Sequence, residues 1–322
     1  MRYMLTMSSW AIAALLAACT NNYRCAPPCG PVVEETYVHK YGVEVSPSYW
    51  SAEGEHGKVI TTLKNGVVIA KSYDAGVPDG ETTYSFPHSE TIEKVETYSQ
   101  GNLVKKVNNY LSGAPKEEIQ FLSPDQKTIT MWYDSGSPQS VEHYQGDVLV
   151  QGEYYTLSHQ VESRVENKEG VRTMRDQYGQ LAWHDTIENG HMTTRTTYHP
   201  NGSPKEDIPY SQGLVDGQKK SFLPGGEPNT LEKWVSGKQE GTTIVFQHGD
   251  KLAEVPYING MKEGVEKRYR DGQEVAQELS WARDRRHGPS YTYLGSSVQT
   301  EWYYQGTQVS KSQYDLLTSR PQ

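Results

Sequence analysis

The sequence predicts an all-β protein, an elongated single-layer antiparallel β-meander, coiled or gutter-like, assembled from strand-turn steps of about 12 residues. Three observations carry that prediction. An aromatic residue is followed seven positions later by glycine four times, as Tyr210/Gly217, Trp234/Gly241, Tyr257/Gly264 and Trp281/Gly288, with successive glycines 24, 23 and 24 residues apart. Aromatic residues recur at half that interval along most of the chain, from Trp50 through Tyr73, Phe86, Tyr98 and Tyr110 to Tyr293 and Tyr303. Asn65-Gly66, Asn189-Gly190, Asn201-Gly202, Asn259-Gly260 and Asp271-Gly272 punctuate the segments between them. Such dipeptides tolerate the positive φ of type I′ hairpin turns.

Residues 1–18 are expected to be a signal peptide. Arg2 supplies a basic start, and Trp10 to Ala18 is an apolar run about half the length of the roughly 20 residues that a spanning helix needs. Leu16-Ala17-Ala18-Cys19 resembles the bacterial lipobox. That resemblance implies cleavage before Cys19, acylation of its thiol with diacylglycerol and palmitate, and a membrane contact made through the acyl anchor. Thr20, where an aspartate would favour inner-membrane retention in enteric lipoproteins, implies the outer membrane of a bacterial cell envelope.

Residues 19–48 are polar and dotted with Pro27, Pro28, Pro31 and Pro47, the composition of a flexible tether. Cys25 and Cys29 stand four apart within it and are expected, after export, as a disulfide or as free thiols. Two cysteines make too small a ligand set for a metal.

Residues 49–315 are expected to form the repeat domain, with 316–322 as a tail. The segments between turns alternate as half-buried strands do: Ile129, Met131 and Tyr133 face one way, Thr128, Thr130 and Trp132 the other. No window after residue 19 shows a helical stripe. The beat allows about 20 strands from residue 50, with aromatic columns on one face and a polar second face. Between Tyr155 and Tyr198 it continues only through Val165, Met174 and Ile187.

Composition narrows the function. Of 322 residues only 35% are hydrophobic, and 23 tyrosines against 4 phenylalanines suit surfaces that stay partly wet rather than a thick enzyme core. A net charge of −9 argues against nucleic acid as a partner. No nucleophile elbow, zinc-binding helix motif or phosphate loop is present, and His184-Asp185 and His287 stand isolated. The expectation is therefore a protein that is not an enzyme and needs no cofactor, metal or small-molecule substrate.

Tyr257-Ile258-Asn259-Gly260-Met261-Lys262-Glu263-Gly264, followed by Tyr269-Arg270-Asp271-Gly272, resembles the MORN repeat in its bacterial variant form. The match is clear over about Tyr210 to Gly288 and degenerate outside it. These units lack the closely spaced glycine pair of the eukaryotic form, so the phospholipid binding proposed for that form does not carry over. The resemblance implies a β-repeat interaction or scaffold module for a protein partner. It also supplies an alternative, since many bacterial relatives are labelled antitoxins that bind a cognate toxin. Exposed aromatics and arginines dominate binding hot spots, which makes Trp234, Tyr257, Trp281, Arg283, Arg285 and Arg286 the partner-binding candidates.

Overall fold

The computed structural model describes residues 30–319. They form one long antiparallel meander of 28 strands that does not close into a barrel. Val32–His39 pairs with Gly57–Leu63, that strand with Val68–Asp74, and the pairing of sequence neighbours continues to Ser297–Tyr304 and Thr307–Val309.

The aromatic-to-glycine spacing is a cross-strand relation. Gly217 lies opposite Trp234, Gly241 opposite Tyr257, Gly264 opposite Trp281 and Gly288 opposite Tyr303. Upstream, Gly57 faces Tyr73 and Gly80 faces Tyr98. Each glycine thus stands beside the aromatic of the following strand and has a positive φ that glycine adopts without cost; a Cβ there would approach Pro209 at Gly217 and Pro256 at Gly264 rather than the facing ring.

The glycine also closes a bulge. Leu214–Val215 and Gly217–Phe222 are one strand interrupted at Asp216; Lys238–Gln239 and Gly241–Gln247 are interrupted at Glu240, and Met261–Lys262 and Gly264–Arg270 at Glu263. These interruptions contribute to a strand count above the expected 20. A bulge turns its extra residue out of the sheet, and here that residue caps the next turn. Asp216 Oδ2 accepts from Ser236 N–H at 3.0 Å, Glu240 Oε2 from Asn259 N–H at 2.9 Å and Glu263 Oε2 from Arg283 N–H at 2.8 Å. Asp79 and Glu169 do the same for Gln100 and Asn189. Backbone bonds one repeat back complete the stitching, as from Gly237 N–H to Val215 O at 2.8 Å and from Gly260 N–H to Gln239 O at 2.9 Å.

These capped turns all lie on one edge, and there the expected type I′ geometry holds. Asn189-Gly190 has φ of 53° and 77°, and Asn259-Gly260 has 52° and 84°. Arg283-Asp284 fills the same place without glycine, at 50° and 65°. Aspartate tolerates this region, and Asp284 Oδ1 also accepts from Lys262 N–H at 2.7 Å. On the opposite edge the expectation fails for Asn65-Gly66 and Asn201-Gly202, where only the glycine has positive φ. Those turns are longer: His199 N–H donates to Ser203 O, and Gly202 N–H to His199 O, both at 2.8 Å. The asparagine side chain takes the N–H two residues on, Val67 at 3.2 Å and Ser203 at 3.1 Å, a competing use of Asn that sequence does not distinguish from a type I′ turn.

Order begins earlier and ends later than the tether and tail boundaries suggested. Val32–His39 is a strand within the expected tether, because its β-branched and aromatic residues outweigh the flanking prolines. Pro47 opens a short helix, Pro47–Ala52, capped by Ser46, and proline is suited to a first helical turn. A second helix, Lys311–Thr318, spans the expected end of the repeat domain and carries a capping box between Ser310 and Gln313. Both are too short to show a stripe. Trp50 of the first is buried against Tyr37 and Tyr73, and Tyr314 of the second packs on Trp302 and His287. Each helix covers an end of the ribbon, as terminal caps do in repeat proteins. No helix among the described residues is long and apolar enough to cross a membrane.

A single layer buries little. Most of the buried apolar side chains gather in two small clusters, Leu63, Val67, Ile69 and Tyr84 near the start and Leu149, Tyr154, Val165 and Ile187 near the middle, while others such as Tyr133, Val255 and Leu279 are buried singly along the sheet. At the second cluster the sheet rolls on itself. Gln139 Nε2 donates to Arg175 O at 2.7 Å although their strands, Pro138–Gln145 and Glu169–Arg175, are three steps apart, about 14 Å on a flat sheet. Val161–Glu166 pairs with Glu169–Arg175 only through Val165↔Gly170 and Glu166↔Glu169, and a side-chain bond from Ser163 to Thr173 holds the splayed part.

Candidate functional site

The six candidates divide in the folded chain. Trp234, Tyr257 and Trp281 are half-buried in the column opposite the glycines. Trp234 Nε1 donates to Glu232 Oε2 at 2.8 Å. Burial, followed by the nearby charges of Asp284, Glu232 and Glu266, pushes the Tyr257 hydroxyl pKa up. The Trp281 ring has Lys262 Nζ 4.6 Å and Arg286 Cζ 5.4 Å from its centroid, and Arg286 also lies 5.1 Å from the Tyr303 ring. Buried Glu266 accepts from Arg268 Nε at 2.7 Å and faces Lys262 Nζ at 3.6 Å. Each of these cation–π contacts contributes about 0.5–2 kcal/mol.

Arg283 and Arg285 are different. Both are exposed, and they line a groove of about 670 Å³ with His287, Tyr304, Gln305, Leu317 and Thr318, between the capped turn and the C-terminal helix. His287, isolated in the sequence, is half-buried, its ring 5.3 Å from Tyr304 and 5.6 Å from Tyr314.

The strongest charge constellation lies where the aromatic beat weakens. Asp185 is fully buried and Glu142 nearly so. Arg195 binds Asp185 through Nε at 2.7 Å and Nη2 at 2.8 Å. Arg172 Nε donates to Glu142 Oε1 at 2.7 Å, with its Nη1 3.8 Å from Asp185 Oδ2. Trp183 packs under both guanidiniums, at 4.2 Å from Arg195 and 5.3 Å from Arg172. The hydroxyls of Tyr144 and Tyr154 donate to Glu142 at 2.8 and 2.9 Å. Burial first, and the Glu142 charge second, pushes both phenol pKa values well above the usual tyrosine value. His184-Asp185 is therefore not an isolated surface pair: His184 meets the Tyr198 hydroxyl at 2.7 Å on one face while Asp185 is sealed into the other. Period-2 alternation places Arg172, Asp185 and Arg195 on one face, but only the roll brings Glu142 to them.

A second charge cluster lies upstream. Tyr84 and Tyr98 donate to Glu96, which also accepts from Lys94 Nζ at 2.9 Å, and Tyr84, Lys94 and Glu96 line a groove of about 870 Å³ with Lys106, Asn108 and Glu117. Burial works against the Glu96 carboxylate, but Lys94 and the two hydroxyls hold its pKa below the usual value. Among the described residues no group of three or more His, Cys, Asp or Glu is placed to hold a metal ion. Cys19, Cys25 and Cys29 lie outside the described residues.

No protein-family model matches the chain, and no curated protein does. Among solved structures, a mutant form of the Photorhabdus luminescens Tc holotoxin pore is similar at 12% identity over 77% of this chain, with a TM-score of 0.15. The match spans 15% of that chain, and a score so low carries no argument about fold or function.

Proposed function

We propose that the chain is an exported bacterial lipoprotein whose β-repeat ribbon acts by binding a protein partner rather than by catalysis. Acyl groups on Cys19 hold it to the cell envelope, with Thr20 directing it to the outer membrane. The observation that carries the proposal is the Leu16-Ala17-Ala18-Cys19 sequence at the end of an apolar run, joined to an open ribbon whose ends are covered by helices. Covered ends leave the faces and turn edges for contact, and such long surfaces suit repeat proteins that bind along their length. The resemblance to bacterial MORN variants supports the same reading.

Labelled palmitate should enter the full chain and fail to enter Cys19→Ala; undiminished labelling of the variant would overturn the anchor. A reporter fusion that stays in the cytoplasm would favour the antitoxin-like alternative. Crosslinking in intact cells should trap a discrete protein adduct, and its absence across the ribbon would overturn the binding role.

A further inference from the structure

Arginines in this protein are mostly committed. Arg172 and Arg195 are tied to buried carboxylates, Arg175 to Glu162, Arg164 to Glu153 and Arg268 to Glu266, while Arg286 lies over two rings. Arg283 and Arg285 are the exceptions: among the described residues neither has a carboxylate within ion-pair distance. Two acids on the same edge are already engaged by backbone, Glu263 by Arg283 N–H and Asp284 by Lys262 N–H.

We propose that the groove containing Arg283 and Arg285 docks an acidic peptide segment of a protein partner. This rests on the reading of the ribbon as a protein-binding module and names the chemistry that the partner must bring. The groove wall adds a histidine, a phenol, an amide and a hydroxyl from His287, Tyr304, Gln305 and Thr318, and no Asp or Glu lines it. In a chain of net charge −9 such a lining is a local reversal of sign, and it selects for anions.

Three features favour peptide carboxylates. A volume of about 670 Å³ lies within the roughly 300–1,000 Å³ of sites that hold ligands larger than a single small ion. Guanidinium forks match carboxylates in paired hydrogen bonds. The groove is recessed between a turn and Leu317 and Thr318 of the helix, a shape that an extended chain enters and a flat bilayer does not.

The test is fluorescence anisotropy of a labelled hexaglutamate peptide titrated with the full chain in detergent. Binding should weaken by an order of magnitude or more when salt is raised from about 0.05 to about 0.3 M, as the Debye length shrinks. The double variant Arg283→Gln, Arg285→Gln should lose at least about tenfold in affinity, while Arg164→Gln, on a distant strand, should bind as the parent does. Thr318→Trp fills the groove without touching the turn and should abolish binding, which keeps the test decisive if the double variant unfolds. Unchanged binding in folded Arg283/Arg285 and Thr318 variants would overturn the proposal. So would equal competition by inorganic phosphate, or binding to phosphatidylglycerol vesicles that the groove variants abolish while peptide binding is absent. Peptide binding by the purified chain does not depend on acylation. Its failure leaves the anchor reading standing, and failure of palmitate labelling leaves the groove standing.

Discussion

Arg195 grips Asp185 with two nearly parallel bonds, 2.7 and 2.8 Å, across adjacent strands at the centre of the ribbon, and the carboxylate it holds has no exposure to water. A buried charge pair of this kind is weak evidence of net stabilisation, because desolvation offsets much of the attraction. Removing one partner is another matter.

Asp185→Ala leaves Arg195 and Arg172 without their shared carboxylate and should destabilise the protein by about 3–5 kcal/mol, measured by urea denaturation. Since stability in repeat arrays is a sum of local and nearest-neighbour contributions, the loss should concentrate at the roll. Hydrogen exchange should quicken first in Glu169–Arg175 and His191–Tyr198, with the terminal strands little affected.

Glu240→Ala removes the acceptor for Asn259 N–H and should cost about 0.5–1.5 kcal/mol, with faster exchange at that amide. Glu240→Gln keeps a side-chain oxygen and should retain most of the protection. Equal losses in the two variants would show that charge, not the turn cap, is what matters there.

Gly264 has φ of +104°, and a Cβ would come 3.4 Å from Pro256 Cγ. Steric room is tight but present; backbone strain is the larger obstacle. Gly264→Ala should cost about 1–3 kcal/mol in the same denaturation assay, and Gly264→Val more.

Tyr144 and Tyr154 give a pH prediction. Their folded pKa values are raised above the ordinary value of 10.0 by burial first and by Glu142 second. A raised folded pKa means stability fully present below pH 10 and lost as pH rises beyond it. In ultraviolet titration Tyr144 and Tyr154 should form a late step that appears only on unfolding. Tyr154→Phe should shrink that late step, at a cost in stability at neutral pH from the lost bond to Glu142.

Much of this architecture was legible because β-repeats write themselves in local chemistry. Gly217, Gly241, Gly264 and Gly288 recur because each bulge demands a backbone that other residues adopt at a cost, and the preceding Asp216, Glu240 and Glu263 recur because the next turn needs an acceptor. The sequence-level list of contact residues mixed two populations. Trp234, Tyr257, Trp281 and Arg286 are half-buried in the sheet, whereas Arg283 and Arg285 are open to solvent, and no one-dimensional pattern separates the two groups. Asn65 and Asn189 likewise read alike before folding yet make different turns.

Strand period, turn dipeptides and repeat spacing are properties of neighbouring residues, so the chain alone determined the antiparallel meander and its polar, thinly cored character. Curvature is a property of many strands at once. Only the tertiary structure decided that the sheet rolls near Gln139 and Arg175, sealing Glu142 and Asp185 between arginines, and that a C-terminal helix folds back to make a groove beside Arg283. The physical reason is distance: Gln139 and Arg175 are 36 positions apart and Glu142 and Arg172 are 30 apart, where no local periodicity reaches and packing alone sets which charges meet.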